Sequence, residues 1–445
     1  MGFQQGLSGL NVSARNLEVI GNNVANTSTY GAKAARAEFA DMYASALNGS
    51  GSNNIGIGAN IGAVAQQFTQ GNITTTENPM DLAINGNGFF QLSDGKNPTI
   101  YSRNGQFKLN REGYIVNNEG HMLLGYQADN QGTIIPSQAT PLTLPTSGIE
   151  PNQTDQIKLQ MTFDSRSGVA SGTAIDFDDP TSYNFATSQT TYDIKGQAVG
   201  LTYYMRKTSA DNWDVYVAAN GTSLQSDGAG DPVRVASITF AAAGGTPTTT
   251  STGALQGDPG TITTYDANNN PITTVTDGKF TLPDIPAVTM SSGALTEPIS
   301  GISFNLAESS EYGSSFAVTG LTQTGYAPGQ LSSINIESNG IVMARYSNGQ
   351  SKPAGQVELA TFRNPQGLQP MGGNEWSATY ASGDPVTGIP GDGNMGLLQS
   401  GALEESNVDL TGELVNMIVA QRMYQANAQT IKTEDQVLQT LVNLR

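Results

Sequence analysis

Residues 17–31 read LEVIGNNVANTSTYG, a stretch in which an amphipathic helical pattern runs into asparagine, threonine and glycine. From the start of the chain, apolar residues recur in alternating steps of four and three, the spacing that places side chains on one seam of a helix. The seam consists of Phe3, Leu7, Leu10, Ala14, Leu17, Gly21 and Val24. Because asparagine and glycine tolerate the left-handed backbone that ends helices, we expect the helix to stop here, at a joint to the next domain. The joint residues are Asn22, Asn23, Asn26 and Gly31.

The C-terminal end carries a second helical seam with the same alternating spacing. The seam runs through Leu410, Leu414, Met417, Gln421, Tyr424, Ala428, Ile431, Asp435, Leu438 and Val442. Asp409 is positioned to cap this helix, and Glu413 lies near the positive end of its dipole. An isolated amphipathic helix is marginal in water, since most helical stability in proteins comes from burying the apolar face. We therefore expect the two seams to pack against each other or against copies in neighbouring molecules.

Between the two ends the hydrophobic pattern changes to a period of two, with glycine-rich turns. Residues 331–350 read LSSINIESNGIVMARYSNGQ, which places Ile334 and Ile336 on one face of a strand. The Asn-Gly pairs at 339–340 and 348–349 are typical of tight turns between antiparallel strands. This pattern predicts β structure built from hairpins.

The predicted fold is α+β and mainly β, with antiparallel β domains in series. An outer β domain is inserted into an inner one, and the paired terminal helices form a coiled-coil-like inner domain. Loop-rich stretches such as AAAGGTPTTTSTGA at 241–254 distinguish the insertion from its surroundings. The expected boundaries are 1–30 with 405–445 for the helices, 31–70 with 360–404 for a connecting region, 71–146 with 301–359 for the inner domain, and 147–300 for the insertion.

Composition excludes several classes of function. The 445 residues include 38 acidic and only 20 basic ones, a formal charge of -18, which argues against a nucleic-acid partner. The absence of cysteine excludes disulfides and thiolate chemistry. The single histidine, His121, is interpreted as a hydrogen-bonded residue of a strand, so neither a catalytic triad nor a multi-histidine metal site is expected. With no signal peptide and no membrane span apparent, we expect export without a cleaved leader and no membrane insertion.

Three motifs superficially suggest a ligand site. Gly56, Gly58 and Gly62 form a loose echo of a dinucleotide loop, but no βαβ pattern surrounds them, and a turn leading into a strand is the better interpretation. Residues 266–277 resemble a calcium loop but carry Pro271 where that loop needs glycine.

The third motif is the acidic run Asp176, Asp178 and Asp179, which is interpreted as a solvated turn. A glycoside-cleaving pair of carboxylates stays open as an alternative, because the sequence does not give the distance between two carboxylates in space. We expect no catalytic residues, no cofactor and no metal.

The motifs at the two ends resemble a known family. SGLNVSARNLEVIGNNVANTSTYG at 8–31 and the segment 401–445, which begins GALEESNVDL, are similar to the N- and C-terminal motifs of bacterial flagellar axial proteins, the rod and hook subunits. Within that family, the interior segments resemble those of hook subunits. The interior segments are YSRNGQFKLNREGYIVNNEGHMLLGY at 101–126, TTYDIKGQAVGLTYYMRKTSADNWDVYV at 190–217, 331–350, and ATFRNPQGLQPMGGNEWSAT at 360–379.

The resemblance implies a structural protein and not an enzyme. Such subunits leave the cell through the flagellar type III export apparatus and polymerise into a curved, torque-transmitting tube, the universal joint between rod and filament. Their terminal helices line the central channel. The implied partners are further copies of the chain, the distal rod protein, the hook cap and the hook–filament junction proteins.

On this interpretation, the N-terminal seam packs against the C-terminal seam within and between subunits. The residues expected to carry self-assembly are Phe3, Leu7, Leu10, Leu17, Val24, Leu410, Leu414, Met417, Tyr424, Ile431 and Leu438. One position departs from the family pattern, because Ala32 stands where an aromatic residue is common, next to Tyr30. Two alternatives remain at this stage, a distal rod subunit and a secreted β-rich enzyme or adhesin with helical tails.

Overall fold

The two ends of the chain are helical and the part between them is β structure in the computed structural model. The structure describes residues 2–42, 56, 58–129, 132–145, 148–172, 174–240, 259–290 and 293–443. Helix α1 spans Gly2–Ala25 and helix α2 spans Leu410–Asn443. The predicted α+β, mainly β fold with helical ends is confirmed. The loop-rich stretch 241–254 lies outside the described residues.

The strands are numbered in chain order. The first group is β1 (Ala35–Met42), β2 (Gly58–Gln66), β3 (Ile73–Thr75), β4 (Leu82–Asn85), β5 (Phe89–Ser93), β6 (Ile100–Ser102), β7 (Lys108–Leu109), β8 (Ile115–Val116), β9 (Met122–Gln127) and β10 (Thr140–Pro141). The second group is β11 (Gln156–Asp164), β12 (Phe185–Tyr192), β13 (Ala198–Ser209), β14 (Asn212–Ala219), β15 (Thr222–Ser223), β16 (Ala236–Phe240), β17 (Pro259–Tyr265), β18 (Pro271–Val275), β19 (Lys279–Thr281), β20 (Ser303–Asn305), β21 (Ser310–Tyr312) and β22 (Ala317–Gln323). The third group is β23 (Leu331–Ile336), β24 (Ile341–Tyr346), β25 (Ser351–Val357), β26 (Leu359–Thr361), β27 (Gln369–Gly372), β28 (Glu375–Ser377), β29 (Val386–Gly388), β30 (Leu397–Ser400) and β31 (Ala402–Glu404), with a 3-10 turn at Pro365–Gly367.

The chain forms two compact units. Unit 1 comprises Met1–Ser147, Leu331–Arg345 and Ser351–Arg445, and unit 2 comprises Gly148–Gln330 and Tyr346–Gln350. Unit 2 is therefore an insertion in the sequence of unit 1.

Unit 1 contains a 13-stranded sheet whose main path runs β23-β24-β25-β9-β5-β6-β28-β27. The predicted hairpin lies at its edge: Ile336 is buried and Ile334 packs against the same core, while Gly340 has the positive φ that a tight turn requires. Fully buried side chains of this core include Leu82, Ile84, Phe90, Leu92, Ile115 and Leu123.

Short antiparallel pairs of unit 1 join the two ends of the chain. Strand β3 pairs with β31 and β4 pairs with β30, so that Ile73 lies opposite Glu404 and Leu82 opposite Ser400. Strands β1 and β2 form a separate hairpin with a bulge after Glu38. These pairs place the segment that follows α1 beside the segment that precedes α2.

Unit 2 consists of two sheets that share one core. The seven-stranded sheet runs β12-β13-β14-β16-β17-β18, with β15 paired to β14, and the five-stranded sheet is centred on β11. Strand β13 shows the expected period of two, with alternate residues fully buried. The largest buried side chains of this core are Trp213, Tyr203, Phe163 and Phe304.

Two features of unit 2 differ from the sequence-based expectations. The prediction of antiparallel domains holds for most pairs, but β11 pairs parallel with β20 and β21, where Gln156 lies opposite Ser303 and Thr162 opposite Ser310. A parallel pair needs a long crossover connection, which the seven-stranded sheet supplies. Because β20, β21 and β22 all pair with β11, the unit runs to Gln330 and does not end at residue 300.

Candidate functional site

Helices α1 and α2 pack against each other through small residues. An ideal Cβ atom on Gly6 would lie 2.9 Å from Cγ1 of Ile431, and one on Gly9 would lie 2.7 Å from Oδ1 of Asn427. Ser13 is buried one turn further along α1, where its hydroxyl lies 3.4 Å from Nδ2 of Asn427. The missing side chains let the two backbones approach closely. Ile20 of α1 and Ala420 of α2 are also buried.

The buried stripe of α1 is displaced by one residue from the predicted seam. Its buried members Gly6, Ser13 and Ile20 follow one another at intervals of seven, and Asn23 is buried in the last turn; each lies one residue before a predicted position. Of the predicted residues, Leu10, Leu17, Val24, Met417 and Ile431 are half-buried. The others are exposed: Phe3 (48%), Leu7 (45%), Leu410 (44%), Leu414 (44%), Tyr424 (38%) and Leu438 (53%). Most of the predicted seam therefore flanks the contact within one subunit, although Ile431 reaches it opposite Gly6.

The first half of α2 carries large exposed apolar side chains on several sides. Helix α1 packs against α2, where it contacts Asn427 and Ile431. The large apolar side chains of α2 that remain exposed are Leu410, Leu414, Val415, Ile418, Val419, Met423, Tyr424, Val437 and Leu438. Large apolar side chains that stay exposed on several sides of a helix mark an interaction site. The N-cap prediction is confirmed, because Oδ1 of Asp409 accepts a hydrogen bond from the Thr411 amide at 3.0 Å.

The four predicted joint residues have different roles. Asn26 closes the helix end, since its Nδ2 donates to the carbonyl oxygen of Asn22 at 3.0 Å, and Asn22 itself is exposed. Asn23 is buried and clamps the backbone of Ala35: its Oδ1 accepts from the Ala35 amide at 2.8 Å and its Nδ2 donates to the Ala35 carbonyl at 2.7 Å. The Gly31 amide donates to the carbonyl oxygen of residue 404 at 2.8 Å. The joint thus connects the end of α1 to strand β1 through Asn23 and to strand β31 through Gly31.

A buried ionic cluster lies beneath this joint. The Glu404 carboxylate accepts from Nζ of Lys33 at 2.5 Å and from Nη1 of Arg103 at 3.1 Å, and all three side chains are almost fully buried. Burial lowers the pKa of Lys33 and that of Arg103, while Glu404 opposes both shifts. The Arg103 guanidinium also lies 5.3 Å from the centre of the Phe89 ring. The cluster joins three segments that are far apart in the chain.

Sequence reasoning did not single out Lys33, Arg103, Glu404 or Asn407. Asn407 donates through Nδ2 to the carbonyl oxygen of Gln67 at 2.7 Å and accepts the Ala34 amide through Oδ1 at 2.7 Å. Each of these residues looks like an ordinary surface residue in its local context. A charged residue inside a short β segment such as ALEE is the available signal, and it does not identify the partner.

The three ligand-like motifs have structural roles. Gly58 begins β2, as the expected strand requires, and the neighbouring Ala59 exchanges backbone hydrogen bonds with the Ser8 hydroxyl; the expected turn before it lies largely outside the described residues. Asp266 accepts the amides of Asn268 and Asn270 in the turn between β17 and β18.

The acidic run and the histidine are also structural. Asp176 accepts the Asp178 amide at 3.0 Å in an exposed turn. His121 precedes β9, and its Nδ1 lies 2.8 Å from Oε1 of Glu375. Within the described part of the chain, no group of three or more acidic or histidine side chains is arranged to hold a metal ion. None of the described helices combines the length and apolarity needed to cross a bilayer.

Four family models match the chain in the order in which the segments occur. They are "Flagella basal body rod protein" at 3–33, "Flagellar hook protein FlgE/F/G D1 domain" at 83–149, "Flagellar basal body protein FlaE D2 domain" at 162–326 and "Flagellar basal body rod FlgEFG protein C-terminal" at 399–444. The matched ends contain α1 and α2, and the D2 match lies in unit 2. Fold and matches together define a flagellar axial protein of the rod and hook class.

Relatives over the full length resolve the class further. The chain is 39% identical over 450 residues to the flagellar hook protein FlgE of Salmonella typhimurium and equally so to that of Escherichia coli K12, with 100% of each chain covered. It is 31% identical to the hook protein of Rhizobium meliloti, covering 98% of that protein. The chain belongs to the flagellar hook protein family, whose members are structural proteins of the flagellar hook.

A solved structure agrees in fold. The crystal structure of the Helicobacter pylori flagellar hook protein FlgE2 matches with a TM-score of 0.51 at 14% identity, covering 74% of this chain and 100% of that one. At this identity the match supports the fold alone.

Proposed function

We propose that the chain polymerises into the hook tube through α1 and α2, with the terminal helices lining a central export channel. The observation that carries the proposal is the first half of α2, which keeps large apolar side chains exposed on several sides. In a polymer, helices of neighbouring subunits would cover Leu414, Val415 and Ile418. On this proposal, the exposed residues of the predicted seam form the contacts between subunits.

The energetics favour ordering of the helices together with assembly. Burying one large apolar side chain contributes about 1.5–3 kcal/mol. Covering several such side chains of α2 by neighbouring subunits adds to the packing of α1 on α2 and offsets the conformational entropy that assembly costs. A net charge of -18 opposes association at low ionic strength, so assembly is expected to need salt.

The β units would form the outer layers of a bendable, torque-transmitting tube, the universal joint between rod and filament. The support is that each unit has its own closed hydrophobic core. Contacts between neighbouring outer layers could then slide without disturbing either core. By family resemblance, the further partners are the distal rod protein, the hook cap, the hook–filament junction proteins and the type III export apparatus.

The proposal is tested by electron microscopy of the purified chain at high salt. We expect curved tubes from the full chain and none from a chain lacking residues 1–24. Tubes formed by the truncated chain would refute assembly through the helices. Straight tubes would favour a rod subunit, and a monomer with an organised pocket would favour an unrelated secreted protein.

A pair of substitutions separates loss of apolar contact from added charge. Ile418 and Gln425 are both exposed on α2. Ile418→Glu removes an apolar side chain and adds a charge, whereas Gln425→Glu adds the same charge in place of a polar group. We expect Ile418→Glu to abolish sedimentable polymer and Gln425→Glu to leave most of it. Equal loss in both variants would assign the effect to charge alone.

A further inference from the structure

The carboxylate of Glu404 connects the two segments that adjoin the helices. Glu404 lies in the segment before α2, and its carboxylate contacts the segment after α1. Its Oε1 accepts from Nζ of Lys33, eight residues after the end of α1, and from the backbone amide of Gly71 at 2.9 Å. Its Oε2 accepts from Arg103, which also donates to the Gly86 carbonyl at 2.9 Å. Lys33 and Glu404 are 371 residues apart in sequence. Glu404 itself lies six residues before α2 begins.

The backbone between α1 and β1 is held from both helices. Residues 34 and 35 are neighbours; the amide of Ala34 donates to Asn407, and both backbone groups of Ala35 bond to Asn23. Asn23 belongs to the last turns of α1, and Asn407 precedes α2. The dipeptide Ala34–Ala35 therefore bonds to one side-chain amide from the end of α1 and to one from the segment before α2. It follows Lys33 directly in the sequence.

The cluster carries unbalanced charge. Two cations, Lys33 and Arg103, share one carboxylate, and none of the three side chains is more than 4% exposed. Removing one partner of a buried ion pair is strongly destabilising, because the remaining charge loses its compensation. Loss of Glu404 would leave two buried cations facing each other, whereas loss of Lys33 would leave a one-to-one pair. The effects of the two substitutions must therefore be unequal.

We propose that Glu404 is the positioning residue that locks the C-terminal end of α1 to the N-terminal end of α2. This lock gives each subunit the helix register that assembly needs. The assembly part of this proposal rests on the proposed function. The lock itself is a property of the free subunit. It concerns how the helix pair is oriented before a neighbour arrives, and it adds to the apolar contacts that join subunits.

The test measures hydrogen exchange of the Gly31, Ala34 and Ala35 amides in the full-length monomer. In Glu404→Gln, which keeps an acceptor but removes the charge, we expect exchange to accelerate on the order of 100-fold. Lys33→Met should accelerate it less than about tenfold, because a balanced pair remains. Amides of the unit 1 core strands β5 and β9 should keep wild-type protection in both variants, which shows that unit 1 has folded.

The double variant Lys33→Met/Glu404→Gln separates charge compensation from simple loss of packing. Because it buries one uncompensated cation instead of two, we expect its protection to lie between that of Glu404→Gln and that of Lys33→Met. A merely structural role predicts that the double variant is worse than either single one, and that result would overturn the proposal. Glu405→Gln, in the adjacent residue outside the cluster, is the matched control and should behave as wild type.

Assembly provides the second measurement. We expect Glu404→Gln to need roughly a tenfold higher concentration to form tubes, and the double variant to recover part of the loss. Tubes of Glu404→Gln at the wild-type concentration would overturn the positioning role. Because exchange is measured on the monomer, it tests the lock even if the wild-type chain forms no tubes, a result that would overturn the proposed function alone.

Discussion

Gly31 occupies a position in which the backbone leaves no space for a side chain. Its φ is +72°, a conformation that favours glycine, and its amide donates to the carbonyl oxygen of Glu404. An ideal Cβ atom there would lie 2.5 Å from the backbone nitrogen of Asn104. The close approach of these two backbone segments brings Arg103, the neighbour of Asn104, within reach of Glu404.

Substitution of Gly31 should therefore destabilise unit 1 by two separate effects. Gly31→Ala is expected to cost about 1–2 kcal/mol for the left-handed backbone and about 1–3 kcal/mol more for the steric overlap. The control is Gly120→Ala, because Gly120 has a φ of +88° and nothing within 4 Å of its ideal Cβ atom. The free energy of unfolding, followed by Trp376 fluorescence in a Trp213→Phe background, should fall more for Gly31→Ala. Equal losses would show that the overlap relaxes.

The resemblance to axial proteins implies an aromatic residue at position 32, where this chain has Ala32. The residue is buried with 4% of its surface exposed, and its amide donates to the Thr29 carbonyl at 3.2 Å. The preceding Tyr30 is half-buried, and its carbonyl accepts from Nδ2 of Asn374 at 3.0 Å. The methyl group of Ala32 is thus buried, and hydrogen bonds to the backbone of Ala32 and Tyr30 hold this segment in place.

At the scale of the element, small residues of α1 set its distance from α2. Gly6 and Gly9 face the partner helix, whereas Gly21 has nothing within 4 Å of its ideal Cβ atom. A glycine inside a helix costs about 1 kcal/mol relative to alanine. For Gly6 and Gly9 this cost is offset by close packing of the helices, and for Gly21 the contacts of a single subunit offer no such compensation.

The two kinds of glycine predict opposite results for the same substitution. Gly9→Leu should weaken the helix pair by about 1–3 kcal/mol, because the new side chain overlaps Asn427. Gly21→Leu should stabilise α1 by up to about 1 kcal/mol through helix propensity. Hydrogen exchange of the α1 amides in the monomer measures both effects. Equal protection in the two variants would contradict the contact between Gly9 and α2.

At the scale of the whole molecule, each unit has one tryptophan in its core. Trp213 is fully buried in unit 2, and Trp376 is buried in an aromatic cluster of unit 1 with Phe68, Phe89 and Phe362. The chain contains only these two tryptophans. Fluorescence therefore reports the unfolding of each unit separately when the other tryptophan is replaced by phenylalanine.

A fragment of residues 148–330 is expected to fold by itself. The support is that the unit 2 core draws all its buried residues from this range. We expect the fragment to show a cooperative urea transition with the emission of a buried tryptophan. A fragment ending at residue 300 lacks β20, β21 and β22, which pair with or extend the sheet of β11, and it should remain unfolded. Folding of the shorter fragment would contradict the pairing of β11.

The sequence by itself determined the features that depend on neighbours within a few residues. Alternating steps of four and three predicted both helices, the Asp409 cap follows from residue type and position, and the Asn-Gly pair at 339–340 predicted a turn. The terminal motifs also identified the family. Periodicity carries this information because side-chain direction repeats every 3.6 residues in helices and every two in strands.

Only the tertiary structure decided which residues of those elements meet. Apolar spacing favoured Leu7 and Leu10 for the helix contact, but the backbones approach through Gly6 and Gly9, and the absence of a side chain gives no hydrophobic signal. The parallel pairing of β11 and the end of unit 2 depend on strands more than a hundred residues apart. Glu404 acquires its role from Lys33, 371 residues away, because a buried charge is defined by its surroundings and not by its neighbours in sequence.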